Sequence, residues 1–246
     1  MSTPYDETAE PVSPVPPVWE VAGGSVRNQR GHDNQDRWRA GTTADGFWIA
    51  VADGISGGPD GARAAQTAVG VTGRVLGDAR LLEADLHRAF DTVHAALWPW
   101  YDGTPAGGTT LTVVAFTPGG LRIAWVGDSP AYVDFGAGLH RATDQRGPGA
   151  LRHWLGARDQ PETRILGWEP EDVPVRVLAV SDGVAEATLL APSAAGTSAA
   201  QLVESALAVP SHGGDDATLV VARRAPAYPP VEPSPSRWRP GRQRHG

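Results

Sequence analysis

The residues of this 246-residue chain that could do chemistry are aspartates standing where apolar runs stop. The run Phe47–Ala52 ends at Asp53, and the flexible stretch Gly54–Gly58 follows it. Leu121–Gly127 ends at Asp128-Ser129, Val175–Val180 ends at Ser181-Asp182-Gly183, and Asp215-Asp216 stands just before Ala217–Ala222. A carboxylate at the end of a buried strand is costly unless something positive meets it. Taken singly, each of these aspartates reads as a turn residue or a helix cap. Repeated beside Gly or Ser at several strand ends, they read as a carboxylate cluster, and carboxylates gather around hard cations such as magnesium, manganese or calcium. The pattern predicts a metal centre. With no cysteine in the chain, thiolate metal sites, disulfides and cysteine nucleophiles are all excluded.

Positioning such a cluster takes strands whose ends meet. Trp19–Arg27 reads as a strand, Asn28–Asp36 as a polar loop, and Arg37 begins a second strand. After the Phe47 strand, Asp60–Leu76 reads as a helix lined by Ala62, Ala65, Val69 and Leu76. Leu82, Leu86, Phe90, Val93 and Leu97 recur at helical spacing and define a second. Gly108–Phe116, the turn at Pro118-Gly119-Gly120 and the run from Leu121 make a hairpin, and Ala131–Phe135 a further strand. Pro148–Leu155 reads as a short helix, Glu162–Trp168 as a strand and Val175–Val180 as a buried central strand. Helices are expected over Gly183–Leu190 and Ser198–Val209, and a last strand ends near Arg223. This order predicts an α+β fold dominated by antiparallel pairing.

Residues 19–224 form one expected domain. Residues 1–18, rich in proline, are expected to be a disordered lead-in, and residues 225–246 a disordered Pro- and Arg-rich tail. All 21 basic residues are arginine, and the net charge of −7 argues against nucleic acid as a partner. No apolar run approaches the roughly 20 residues of a membrane span, and no signal-peptide core is present, so the cytoplasm is the expected location.

With these residues in view, the chain resembles the metal-dependent type 2C (PPM) protein serine/threonine phosphatases. The matching stretches are Asn34-Gln35-Asp36, Val51–Gly58, Gly107–Thr110, Val126–Ser129, Ser181–Gly183 and Asp215–Thr218, in the family's order. Asn-Gln-Asp is closer to a bacterial branch than to the Asn-Glu-Asp form. The resemblance implies two packed antiparallel β-sheets flanked by helices, an α/β/β/α sandwich, with two Mn2+ or Mg2+ ions and a weaker third where the sheet ends meet. It implies that Asp53 bridges both metals, with the Gly54 carbonyl on one, and that Asp182 and Asp215 complete the first metal's ligands. Asp128, Asp182 and Glu186 would hold the third metal, and Asp36 would orient a bound water. The implied reaction is hydrolysis of phosphoserine or phosphothreonine by a metal-bridging water, which needs no protein nucleophile. A phosphoprotein substrate, an opposing protein kinase and a monomeric state are the implied associations.

The chain also departs from the family pattern. Gln35 stands where the commoner form has a glutamate directed at the second metal, and Pro130 replaces the arginine that follows Gly-Asp-Ser. The segment between Asp144 and Leu155 is shorter than the family's flap. Arg27 and Arg30 are both candidates for gripping phosphate bidentately, and His32 is a third. Two rival readings follow from the residues. Gly54–Gly58 satisfies the Gly-x-Ser-x-Gly elbow of serine hydrolases, with Ser56, Asp182 and His212 in chain order. Against it, too little ordered chain precedes the elbow. Gln35 and the short flap motivate the other rival, a phosphatase-like domain that binds phosphoproteins without turnover.

Overall fold

The computed structural model of the chain describes residues 7–11, 19–27, 33–55, 60–101, 107–143, 153–190, 196–209 and 214–225. Within them run strands β1 (Glu7–Pro11), β2 (Trp19–Val26), β3 (Asp36–Thr43) and β4 (Gly46–Asp53), then helices α1 (Gly61–Leu76) and α2 (Glu83–Leu97). There follow β5 (Leu111–Thr117), β6 (Gly120–Val126), β7 (Ala131–Asp134), β8 (Leu139–Arg141), β9 (Arg164–Trp168) and β10 (Arg176–Val180). Helices α3 (Glu186–Leu190) and α4 (Ala199–Leu207) precede the last strand, β11 (Ala217–Arg224).

The strands form two sheets, ordered β1-β2-β11-β10-β7-β8 and β3-β4-β5-β6-β9, and every pairing between strands is antiparallel. Strand β4 shows why the sheets stack. Its residues Phe47, Ile49 and Val51 point into a core shared with Val177, Ala179, Val220 and Ala222 of the other sheet. Alternate residues Trp48, Ala50 and Ala52 point the opposite way, onto Ala65, Val69, Leu86 and Phe90 of α1 and α2. A strand covered on both faces has no need of polar alternation, hence its continuous apolar run. On the far side, Leu178, Val180, Leu219 and Val221 meet Leu189, Val203 and Ala206 of α3 and α4. The result is the expected α/β/β/α sandwich.

Several local expectations are corrected. The lead-in expected to be disordered contributes β1, which adds to the edge of the first sheet beside β2. An edge strand tolerates the missing N–H of Pro11. Strand β8 was not expected, because only Leu139 in it is apolar. Leu82 does not face the core; it precedes α2 and is 55% exposed. In α1 the buried face runs through Ala64, Ala65, Ala68, Val69, Thr72 and Leu76, with Ala62 at its margin. Where a helix was expected over Pro148–Leu155, Leu155 makes an isolated bridge to Thr109; residues 148–152 lie outside the described residues.

Candidate active site

Asp36 and Asp53 face each other across the β3–β4 pairing, so two acidic strand ends are set side by side by register. The backbone of Asp53 is fixed on the incoming chain of β5. Its carbonyl accepts from the Thr110 N–H and the Thr109 hydroxyl, both at 2.8 Å, and its own N–H donates to Thr110 Oγ1 at 3.1 Å. Thr110 Oγ1 lies 2.7 Å from Ser129 Oγ, and Thr112 Oγ1 donates to the Ser129 carbonyl at 2.7 Å. Thr110 thus serves both Asp53 and the Asp128-Ser129 turn, with Thr112 beside it. The Gly54 N–H donates to the Gln35 carbonyl at 3.1 Å, and a Cβ on Gly54 would stand 2.1 Å from the Gly61 carbonyl. Only glycine lets the first turn of α1 come this close.

The other two acidic strand ends are joined as tightly. The Ser181 N–H donates to the Thr218 carbonyl at 2.9 Å, linking the end of β10 to β11. A Cβ on Gly183 would lie 1.8 Å from the Asp216 carbonyl, so the turn carrying Asp182 and the approach carrying Asp215 touch backbone to backbone. Asp215 Oδ1 accepts from the Asp216 N–H at 2.9 Å. Asp216 Oδ2 in turn accepts from the Gln35 N–H at 2.7 Å, reaching across to the loop that enters β3.

Electrostatics tie these pieces into one site. Asp53 is held well above the usual carboxylate range, first by burial and then by repulsion from Asp36, Asp182, Asp215 and Asp128. Asp36, 2% exposed, is pushed up to about 7 by burial and by the charge of Asp216, against the lowering effect of the Ser181 and Thr218 hydroxyls. Asp128 is raised by burial and by Asp182. An oxygen-only set of mutually repelling carboxylates fits hard divalent cations. Among the described residues, no three acidic or imidazole side chains are drawn together closely enough to make a finished cage. Like charges of this density close up only around a cation's own charge.

The remaining candidates stand apart from this convergence. Glu186 opens α3 and accepts from the Tyr132 hydroxyl at 3.3 Å, and burial followed by the nearby Glu186 charge pushes Tyr132 up to about 12. The Gln35 side chain lies against α1, its Cδ and Oε1 each 3.1 Å from where a Cβ on Gly61 would be. Arg27 is exposed just beyond β2. Arg30, His32, Ser56 and His212, and the shortened flap from Asp144 to residue 152, lie outside the described residues. Sequence reasoning named Asp216 and Thr218 within a matching stretch without giving either a task, and gave Ser25 none. The available signal was a small polar residue inside each of two apolar strands.

Acidic strand ends brought together at one end of an antiparallel double sheet make an oxygen-only site suited to divalent cations. A family profile described as Protein phosphatase 2C matches residues 23–211. Among solved structures, the PPM Ser-Thr phosphatase MsPP from Mycobacterium smegmatis, in complex with cacodylate, is 25% identical with a TM-score of 0.68. That match covers 85% of this chain and 99% of MsPP. The serine/threonine phosphatase Stp1 from Staphylococcus aureus is 17% identical with a TM-score of 0.68, covering 91% of this chain and 99% of its own. RsbX, solved in complex with magnesium, is 10% identical with a TM-score of 0.66, covering 89% and 100%. No curated protein matches the sequence. The chain belongs to the protein phosphatase 2C family. It is a metal-dependent phosphoprotein phosphatase, and no helix among its described residues is long and apolar enough to cross a membrane.

Proposed function

We propose that the chain hydrolyses phosphoserine and phosphothreonine at two Mn2+ or Mg2+ ions held by Asp53, the Gly54 carbonyl, Asp182 and Asp215. Asp128 and Asp182 form a weaker third position. The observation that carries this reading is the convergence on Asp53 of charge from Asp36, Asp128, Asp182 and Asp215. Cations bound there supply a nucleophile at neutral pH and neutralise charge on the phosphoryl oxygens. The chain's own contribution is to hold the carboxylates at fixed strand ends. Thr109 and Thr110 lock the Asp53 backbone, and Asp36 lies beside it to accept and release a proton. Glu186 can join the third position through Oε2 while Oε1 keeps the Tyr132 hydroxyl. Arg27 and Arg30 remain the arginines proposed to grip phosphate. The proposed substrate is a phosphoprotein set against a protein kinase, with the enzyme acting as a monomer.

The test is turnover of a phosphothreonine peptide and of p-nitrophenyl phosphate with manganese titrated in. Activity is expected to depend on the metal, to vanish with excess EDTA, and to fall by about 1,000-fold or more in Asp53→Asn. Undiminished activity under EDTA, or in Asp53→Asn, overturns the metal reading.

A further inference from the structure

Ser25, Asn34, Asp36, Ser181 and Thr218 come from four separate parts of the chain and meet in one buried knot. Asn34 Nδ2 donates to Ser25 Oγ at 2.7 Å, and the Ser25 and Thr218 hydroxyls are 2.6 Å apart. Ser181 Oγ donates to Asp36 Oδ2 at 2.6 Å and accepts from the Thr218 N–H at 2.9 Å. The Asp36 N–H donates to Asn34 Oδ1 at 2.9 Å, which closes the loop.

Asp36 is held at both ends of one ring. A serine or threonine hydroxyl has one proton to give, and Ser181 gives its proton to the Asp36 carboxylate. Asn34, which accepts from the Asp36 N–H, is fixed in turn by Ser25, and Ser25 by Thr218, whose own N–H returns to Ser181. Ser25, Ser181 and Thr218 are 4% exposed or less. Two belong to strands β2 and β11 and one follows β10, all in the first sheet, whereas Asp36 opens β3 of the second.

We propose that Ser25, Thr218 and Ser181 are positioning residues, a hydroxyl relay across the two sheets that fixes Asp36 beside Asp53 for the reaction. A sandwich needs no such device for cohesion alone. Matched apolar groups at paired buried hydroxyls are close to neutral for stability. Hydroxyls there orient one particular carboxylate, which apolar packing cannot do. This inference rests on the proposed role of the Asp53 site.

The experiment compares Thr218→Val, Thr218→Ser, Ser25→Ala and the double variant Ser25→Ala/Thr218→Val with wild type, on p-nitrophenyl phosphate at saturating manganese. Thr218→Val and the double variant are expected to keep their melting temperature within a few degrees but lose about tenfold or more in kcat, with KM within about twofold. Thr218→Ser, which keeps the hydroxyl, is expected to stay within about threefold of wild type. The two single losses are expected to be non-additive, because both break one chain. A crystal structure of the double variant is expected to show the Asp36 carboxylate turned from its wild-type position. Wild-type kcat in the double variant, equal loss in Thr218→Ser and Thr218→Val, or an unmoved Asp36 overturns the relay. Should Thr218→Val fail to fold, Ser25→Ala decides alone, and unchanged kcat there overturns the relay. Asp53→Asn in the same assay keeps the two ideas apart. If it abolishes metal-dependent activity while the double variant is unaffected, only the relay falls.

Discussion

Gln35 stands one residue before Asp36 and carries a neutral amide into a site otherwise lined by carboxylates. Its backbone serves the site twice, donating to Asp216 Oδ2 and accepting from the Gly54 N–H, and neither bond depends on the side chain. The side-chain amide meanwhile lies against Gly61, the first residue of α1, where unpaired backbone N–H groups favour negative charge. A carboxylate at this position gains from the helix end and adds a charged ligand beside Gly54. Gln35→Glu is therefore expected to tighten the weaker metal site by about tenfold, about 1.4 kcal/mol, while leaving the tighter one unchanged. Isothermal calorimetry with manganese on both proteins checks it, and an unchanged weaker site means that Gln35 does not face that metal.

Among the elements, the junction of β10 and β11 carries two of the four acidic ends, and it rests on Gly183. A methyl there would collide with the Asp216 carbonyl and approach its carbon at 2.8 Å, both backbone atoms that cannot swing aside. Gly183→Ala must push the two loops apart, moving Asp182 and Asp215 together. About 2 kcal/mol or more of stability and about 100-fold in kcat are expected to go, measured by urea unfolding and steady-state kinetics. Wild-type values in both would mean that the close approach does not matter. The central strands were legible in the sequence because β4 and β10 are covered on both faces and read as unbroken apolar runs. Their acidic ends were legible for the same reason, since a charge stands out where such a run stops. Strands β1 and β8 were not, because edge strands draw little on apolar burial, and β1 includes a proline. Ser25, Asp216 and Thr218 were hidden too. Their partners lie 193, 181 and 193 residues away, respectively, and local patterning carries no trace of such pairings.

For the molecule as a whole, gathering carboxylates at the sheet ends sets function against stability. Asp36 titrates near 3.8 when unperturbed and is raised to about 7 in the fold. Between those values the folded protein keeps a proton that the unfolded chain has lost, so metal-free stability falls as pH rises from about 4 to about 7. This is the reverse of an aspartate stabilised by a cationic partner, whose contribution is lost on acidification. Asp53, also raised, steepens the decline. A divalent cation that binds the folded site alone offsets the repulsion, by about 2.7 kcal/mol at 100 times its Kd. Because it binds the charged carboxylates, its benefit grows with pH over the same window. Scanning calorimetry of the EDTA-treated protein is thus expected to show the melting temperature dropping from about pH 4 to about pH 7. With excess manganese the drop should shrink or reverse, and in Asp53→Asn the metal-free slope should flatten, because one repelling charge is gone. A metal-free melting temperature that rises across this range would mean that the carboxylates are not crowded as the fold brings them, and the electrostatic case for the site would fail with it.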